Sequence, residues 1–396
     1  MKRLITILLL VIVAAFGFAG SEELEIYSYL YNGASTYTDK LGILQTVAEL
    51  KPSGAGEFYA GALHSLVSDY QNIRNVGEKT AADEQAQILS ELLGDEKYTA
   101  AAADLWWVAE NFQNPLVKAD ALVALGEIRA MAFLPQVIRV LTDLNLSPAR
   151  DRLTGERIAY GAILSLEKYG DISGYVPVYF AATGWYSDRI KSQAVKSLAV
   201  ISQDPSEPMT QIIRSPGYDY PTKFAALQTE EASGASNQAK AGVALAAYTE
   251  GWRASTSDVS QRMTLLRMRL MGMDMIKRYG APDASDPKAE VYRLLERSYK
   301  EGSETDREES LNAITTLSVI NSDEAVNRLN SYLMLLNGKM QSGTLNTKDR
   351  VMVREIIPAL GRTRNSKAGI VLRSVTSLNW EEGVKNLARE ALKEIQ

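Results

Sequence analysis

The chain has no cysteine and a single histidine, His64, among 396 residues. The first absence excludes disulfides, thiolate nucleophiles and cysteine-ligated zinc or iron–sulfur centres. The second excludes metal sites built from several imidazoles and leaves one side chain for histidine-based proton transfer. A dominant charge is missing too: 43 basic and 48 acidic residues are interspersed, for a net charge of −5. Nucleic acid rewards a clustered basic face and anionic lipid a polybasic run, and the sequence has neither. There is no phosphate loop, no Gly-rich dinucleotide fingerprint, no Gly-x-Ser-x-Gly elbow and no His-Glu-x-x-His. The period-two alternation that marks strands is nearly absent. No connection is long enough to be a structureless linker between domains.

The N-terminus is organised differently from the rest. Met1-Lys2-Arg3 is basic, Leu4 to Phe18 carries no charge, and small residues at Gly17, Ala19 and Gly20 precede the polar Ser21-Glu22-Glu23. That is the order of a secretory signal peptide. The apolar run falls short of the ~20 residues that a spanning helix needs. Residues 1–19 are therefore expected to be a signal cut after Ala19 or Gly20, with a retained anchor as the alternative. No cysteine follows the run, which excludes an N-terminal lipid anchor. A chain that leaves the cytoplasm and carries no disulfide fits a bacterial periplasm, with secretion as the alternative.

Residues 20–38, with the alternating Tyr27, Tyr29 and Tyr31, read as an extended leader packed on the first helix, or as a short strand. From Asp39 the pattern is helical throughout. Asn114 to Leu144 shows it best. Asn114 suits an N-cap and Pro115 the first helical position, where a missing N–H costs nothing. Val117, Ala121, Leu122, Leu125 and Ile128 share one helix face. Phe133, Val137, Val140, Leu141 and Leu144 make a second. Two short helices cannot bury their apolar faces alone and need neighbours of the same kind.

The sequence supplies them. A triplet, a small residue followed by Leu or Ile four on and Ile or an aromatic three further, recurs along the chain. It reads Ala121-Leu125-Ile128, Ala162-Leu166-Tyr169, Ala194-Leu198-Ile201, Ala241-Leu245-Tyr248, Gly272-Ile276-Tyr279, Ala313-Leu317-Ile320, a degraded Ile356-Leu360-Thr363, and Ala388-Leu392-Ile395. The steps average about 38 residues, the period of two-helix HEAT and armadillo units rather than of 34-residue tetratricopeptide units. Asn114 to Leu144 resembles a HEAT-like repeat in its proline after the loop, Lys118, Gly126 near the end of its first helix and Leu-rich second helix. Asp188 to Ile201 and Asp349 to Arg362 resemble first helices of further copies. Between Pro205 and Gly251 the beat is broken.

The resemblance implies an all-α fold: an α-solenoid of stacked antiparallel helix pairs, about 8–10 units wound as a right-handed superhelix. Residues 39–396 are expected to form a single array, with 380–395 as its charged C-terminal cap.

Individual side chains were weighed for chemistry. His64 is either a general base or a partly buried helix residue with one hydrogen bond; with no nucleophile motif nearby the second is expected. Met263, Met268, Met271, Met273 and Met275 suggest Cu(I) only superficially, because residues two apart on a helix point to different sides. Met268, Met271 and Met275 form a stripe that reads as core. Trp106 lies on an apolar stripe, and Trp107 lies off it. Arg262, Arg267, Arg269, Lys277 and Arg278 read as a solvated helix face paired with Asp274. Asp286 is expected to cap the next helix.

No catalytic, cofactor or metal residue is expected. The reading is a non-enzymatic exported scaffold or adaptor that binds a protein partner, not nucleic acid, without membrane insertion after cleavage. The alternatives are a helical toroid enzyme acting on cell-wall or extracellular polysaccharide, and a structural envelope protein.

Overall fold

Short polar residues start the helices and left-handed residues stop many of them. Thr36, Asn75, Asn114, Asp151, Asp219, Asp258 and Asn346 each accept a backbone N–H of the turn they precede, which satisfies a donor left over at a helix N-terminus. In the computed structural model, which describes residues 20–147, 151–302 and 307–395, these signals delimit twenty α-helices and five short 3-10 turns. The expected signal segment, residues 1–19, lies outside the described residues. No strand occurs among the described residues, and no helix there is long and apolar enough to cross a membrane.

The chain divides into two compact units at Gln203 and Asp204. The first holds α1 (Gly20–Gly33), α2 (Tyr37–Leu50), α3 (Gly56–Asp69), α4 (Val76–Asp95), α5 (Ala102–Asn111), α6 (Pro115–Glu127), α7 (Leu134–Leu146), α8 (Arg152–Tyr169), α9 (Tyr175–Thr183) and α10 (Asp188–Ile201). The second holds α11 (Ser206–Arg214), α12 (Tyr220–Ala232), α13 (Asn237–Arg253), α14 (Val259–Tyr279), α15 (Glu290–Glu301), α16 (Glu308–Ile320), α17 (Asp323–Gln341), α18 (Thr347–Arg362), α19 (Gly369–Ser377) and α20 (Glu382–Glu394).

Packing runs from neighbour to neighbour. Each odd-numbered helix packs on the even-numbered helix that follows it, α1 on α2 through α19 on α20. Within each unit every even-numbered helix also packs on the next: α2, α4, α6, α8 and α10 in the first, α12, α14, α16, α18 and α20 in the second. Small residues let them approach. A Cβ on Gly161 of α8 would lie 2.6 Å from the Ala119 Cα of α6, and one on Gly126 of α6 would lie 2.7 Å from the Ser165 Cα of α8. Gly361 of α18 meets Ala391 of α20 in the same way. Leu and Ile fill the space around these contacts: Leu122, Leu125, Ile163 and Leu166 are all but inaccessible, each contributing about 1.5–3 kcal/mol by burial.

Four expectations are corrected. Residues 20–33 are helical, not extended. Tyr27 and Tyr31 are buried while Tyr29 is 80% exposed, so the alternating tyrosines include an i, i+4 helix face. Asn114 to Leu144 is two helices but not one packed pair: α6 packs on α4, α5 and α8, whereas α7 packs on α8 and α9. Left-handed Arg129 and the 3-10 turn Met131–Phe133 separate the two directions. Asp286 does not cap α15; it accepts the Lys288 amide in the preceding turn, and the N-cap position is Ala289. Finally, the triplet's first residue is buried in all eight copies, yet Ala241-Leu245-Tyr248 sits on odd-numbered α13 while the other seven lie on even-numbered helices. The copy in register is on α12, where buried Ala226 is followed at the leucine position by Glu230.

Candidate interaction groove

Most of the side chains weighed for chemistry serve packing. His64 is exposed rather than partly buried, and its Nδ1 lies 3.2 Å from the Asp104 carboxylate. Met268, Met273 and Met275 are fully buried, Met271 is half-buried and Met263 is exposed. Met273 thus belongs to the core in addition to the stripe, because α14 is covered by α12, α13 and α16. Among the described residues no group of three acidic or imidazole side chains converges as a metal site. Trp106 and Trp107 are both half-buried. Trp106 stacks on Phe133, with 6.1 Å between ring centres, and Trp107 meets Tyr70 and Phe112 edge-on.

In the basic stretch of α14, Asp274 pairs with Lys277 at 2.7 Å as expected. Arg269 departs from that reading. Its Nε and Nη2 donate to the two carboxylate oxygens of Glu309 at 2.6 and 3.0 Å, and its Nη1 donates to the Gly251 carbonyl at 2.9 Å. Glu309 is 1% exposed. The Trp252 ring sits against two guanidinium groups, Arg269 at 4.2 Å and Arg297 at 4.3 Å from its centre. Ser298 completes the network: its hydroxyl accepts from the Trp252 indole at 3.1 Å, donates to Glu309 at 2.9 Å and bonds the Tyr248 hydroxyl at 2.7 Å. Every donor of this network finds an acceptor, which is what keeps a buried ion pair tolerable. It ties α13, α14, α15 and α16 together.

Glu230 is fully buried, and its Oε1 lies 2.6 Å from the Ser206 hydroxyl, which is itself 2.5 Å from an Asp204 carboxylate oxygen. The single Ser206 hydroxyl proton thus stands between two carboxyl oxygens. Burial, opposed by the Ser206 hydrogen bond and reinforced by the Asp204 charge, pushes the Glu230 carboxyl above its usual range.

A groove of about 620 Å³ lies in the first unit, where the C-terminal ends of α4, α6 and α8 come together. Lys97, Arg129 and Lys168 line it, together with Asp95 and Glu127. Lys168 pairs with Glu127 at 3.5 Å. Lys97 and Arg129 are exposed and stand at positive φ, 53° and 49°.

Sequence reasoning passed over both residues, although a signal was there. Leu93-Gly94-Asp95-Glu96-Lys97, Leu125-Gly126-Glu127-Ile128-Arg129 and Leu360-Gly361-Arg362-Thr363-Arg364 share a Leu-Gly-x-x-basic pattern. In all three the glycine lies against the next even-numbered helix, and the basic residue is left-handed. Compared with family models and with curated proteins, the chain finds no match in either.

Proposed function

We propose that the chain is a non-enzymatic, exported α-solenoid of HEAT-like helix pairs, wound right-handed, that binds a protein partner in the periplasm as a scaffold or adaptor. The observation that carries this reading is the packing, within each unit, of every even-numbered helix on the next, with glycines such as Gly94, Gly126 and Gly361 set against the following even-numbered helix. Such packing aligns helix ends along an edge, and an edge of that kind binds macromolecules by area rather than by enclosing a small substrate. Ten odd–even helix pairs among the described residues support an array of helix pairs. Export is supported by the basic start and uncharged apolar run of residues 1–18. A protein partner is favoured over nucleic acid by the mixed surface and the net charge of −5.

Crosslinking in intact cells followed by mass spectrometry tests the proposal. A single protein recurring on peptides from one edge of the array is the expected result. Adducts that merely follow protein abundance, or fractionation of the chain with the cytoplasm, would sink it.

A further inference from the structure

Side chains at positive φ are uncommon outside Asn, Asp and His, because the Cβ crowds the following carbonyl oxygen. Glycine occupies that conformation freely. α8 ends this way, on Gly170 with φ 64°. α4 and α6 meet the same requirement with Lys97 and Arg129. Backbone groups alone close both turns: the Lys97 and Tyr98 amides donate to the Gly94 and Leu93 carbonyls, and the Arg129 and Ala130 amides to those of Gly126 and Leu125. The fold thus uses the left-handed conformation there and makes no use of the long side chains. Both are exposed, neither has an ion-pair partner among the described residues, and both line the same groove.

We propose that this groove binds an extended acidic segment of a protein, with Lys97 and Arg129 engaging its carboxylates. The proposal rests on the reading of the chain as a protein-binding array and narrows the chemistry of its partner. Packed helices sit about 8–10 Å apart, and an extended chain advances about 3.3 Å per residue. Acidic side chains about every third residue therefore match the spacing of basic side chains carried at the ends of successive even-numbered helices, as Lys97 and Arg129 are. The groove is not uniformly basic: Asp95 and Glu127 line it, and the helix C-termini that meet there are the negative ends of their dipoles. These repel any anion that does not fall on Lys97 or Arg129, and so weigh most against a polymer charged at every unit, such as nucleic acid. A polypeptide spaces its carboxylates and brings amide N–H donors to lie between them.

The test uses the full chain and a Lys97→Gly/Arg129→Gly variant. Fluorescence anisotropy is read with a labelled peptide of repeated Glu-Gly-Gly, its Gln-Gly-Gly counterpart and a single-stranded oligonucleotide, and melting is followed in parallel. The unaltered chain is expected to bind the Glu peptide alone, less tightly as salt rises. The variant is expected to lose about tenfold in affinity and to melt at the same temperature or higher. Equal binding by the variant overturns the assignment, and so does a lower melting temperature, which would give the two side chains a structural role. Oligonucleotide binding as tight as peptide binding overturns the partner class. Failure of peptide binding, with one partner still recovered from intact cells, removes the groove and leaves the array; loss of both removes both.

Discussion

Glu230 stands at the position that the preceding and following even-numbered helices in the chain give to Leu198 and Ile276. At this depth the carboxyl accepts the Ser206 hydroxyl, and burial favours its neutral form. Other charge near it comes from Lys240, whose ammonium donates to the Glu231 carbonyl at 2.9 Å. The sign of the pH effect follows. The folded carboxyl binds its proton more tightly than the unfolded one, so its contribution is full below the ordinary value of 4.5 and is lost as pH rises through the elevated folded value. Melting temperature is expected to fall over that interval, and Glu230→Gln to flatten this part of the profile. A parallel slope in the variant contradicts the assignment. At Glu309 the expectation is larger: Glu309→Ala strands the Arg269 guanidinium and costs about 3–5 kcal/mol in chemical denaturation. Neither residue was legible in the sequence. Arg269 and Glu309 are 40 residues apart, and nothing local pairs them. Glu230 was hidden because the stripe search looked for leucine where the chain places an acid.

Two kinds of helical glycine separate at the scale of the element. At Gly126 and Gly161 the neighbouring helix leaves no room for a methyl group, whereas a Cβ on Gly242 of α13 would meet nothing within 4 Å. Gly161→Ala is expected to cost about 1–3 kcal/mol through overpacking, and Gly242→Ala to stabilise by about 0.5–1 kcal/mol. Denaturation midpoints of the two variants moving in the same direction would contradict this. Helix starts were largely legible: Asn114 and Pro115 act as the sequence suggested. Helix pairing was not, and the physical reason is plain. A three- and four-residue rhythm tells which face of a helix is buried, but not which neighbour covers it. The short connection from α6 to α7 suggested one packed pair, yet α6 turns its small residues toward α8.

Within each unit, neighbour-to-neighbour packing makes each layer depend on the next. α20 covers α18 and α19 with Val384, Ala388 and Ala391 and keeps Glu382, Arg389, Glu390 and Lys393 exposed. Removing residues 366–396 uncovers the α18 face around Leu360 and Gly361. The shortened chain is expected to melt lower and to aggregate more readily than the full chain; unchanged melting would contradict the stacking. The all-helical class was legible because the three- and four-residue spacing of apolar residues runs along nearly the whole chain. The groove residues were not, since a left-handed backbone leaves no periodic trace. The protein-binding claim is tested most directly by a photo-crosslinking residue at Thr99, an exposed position lining the groove, activated in intact cells. One protein crosslinked through an acid-rich segment, and lost with Lys97→Gly/Arg129→Gly, is the expected result. Crosslinking to polysaccharide alone, or the same adducts from a probe at exposed Met334 of α17, would contradict it.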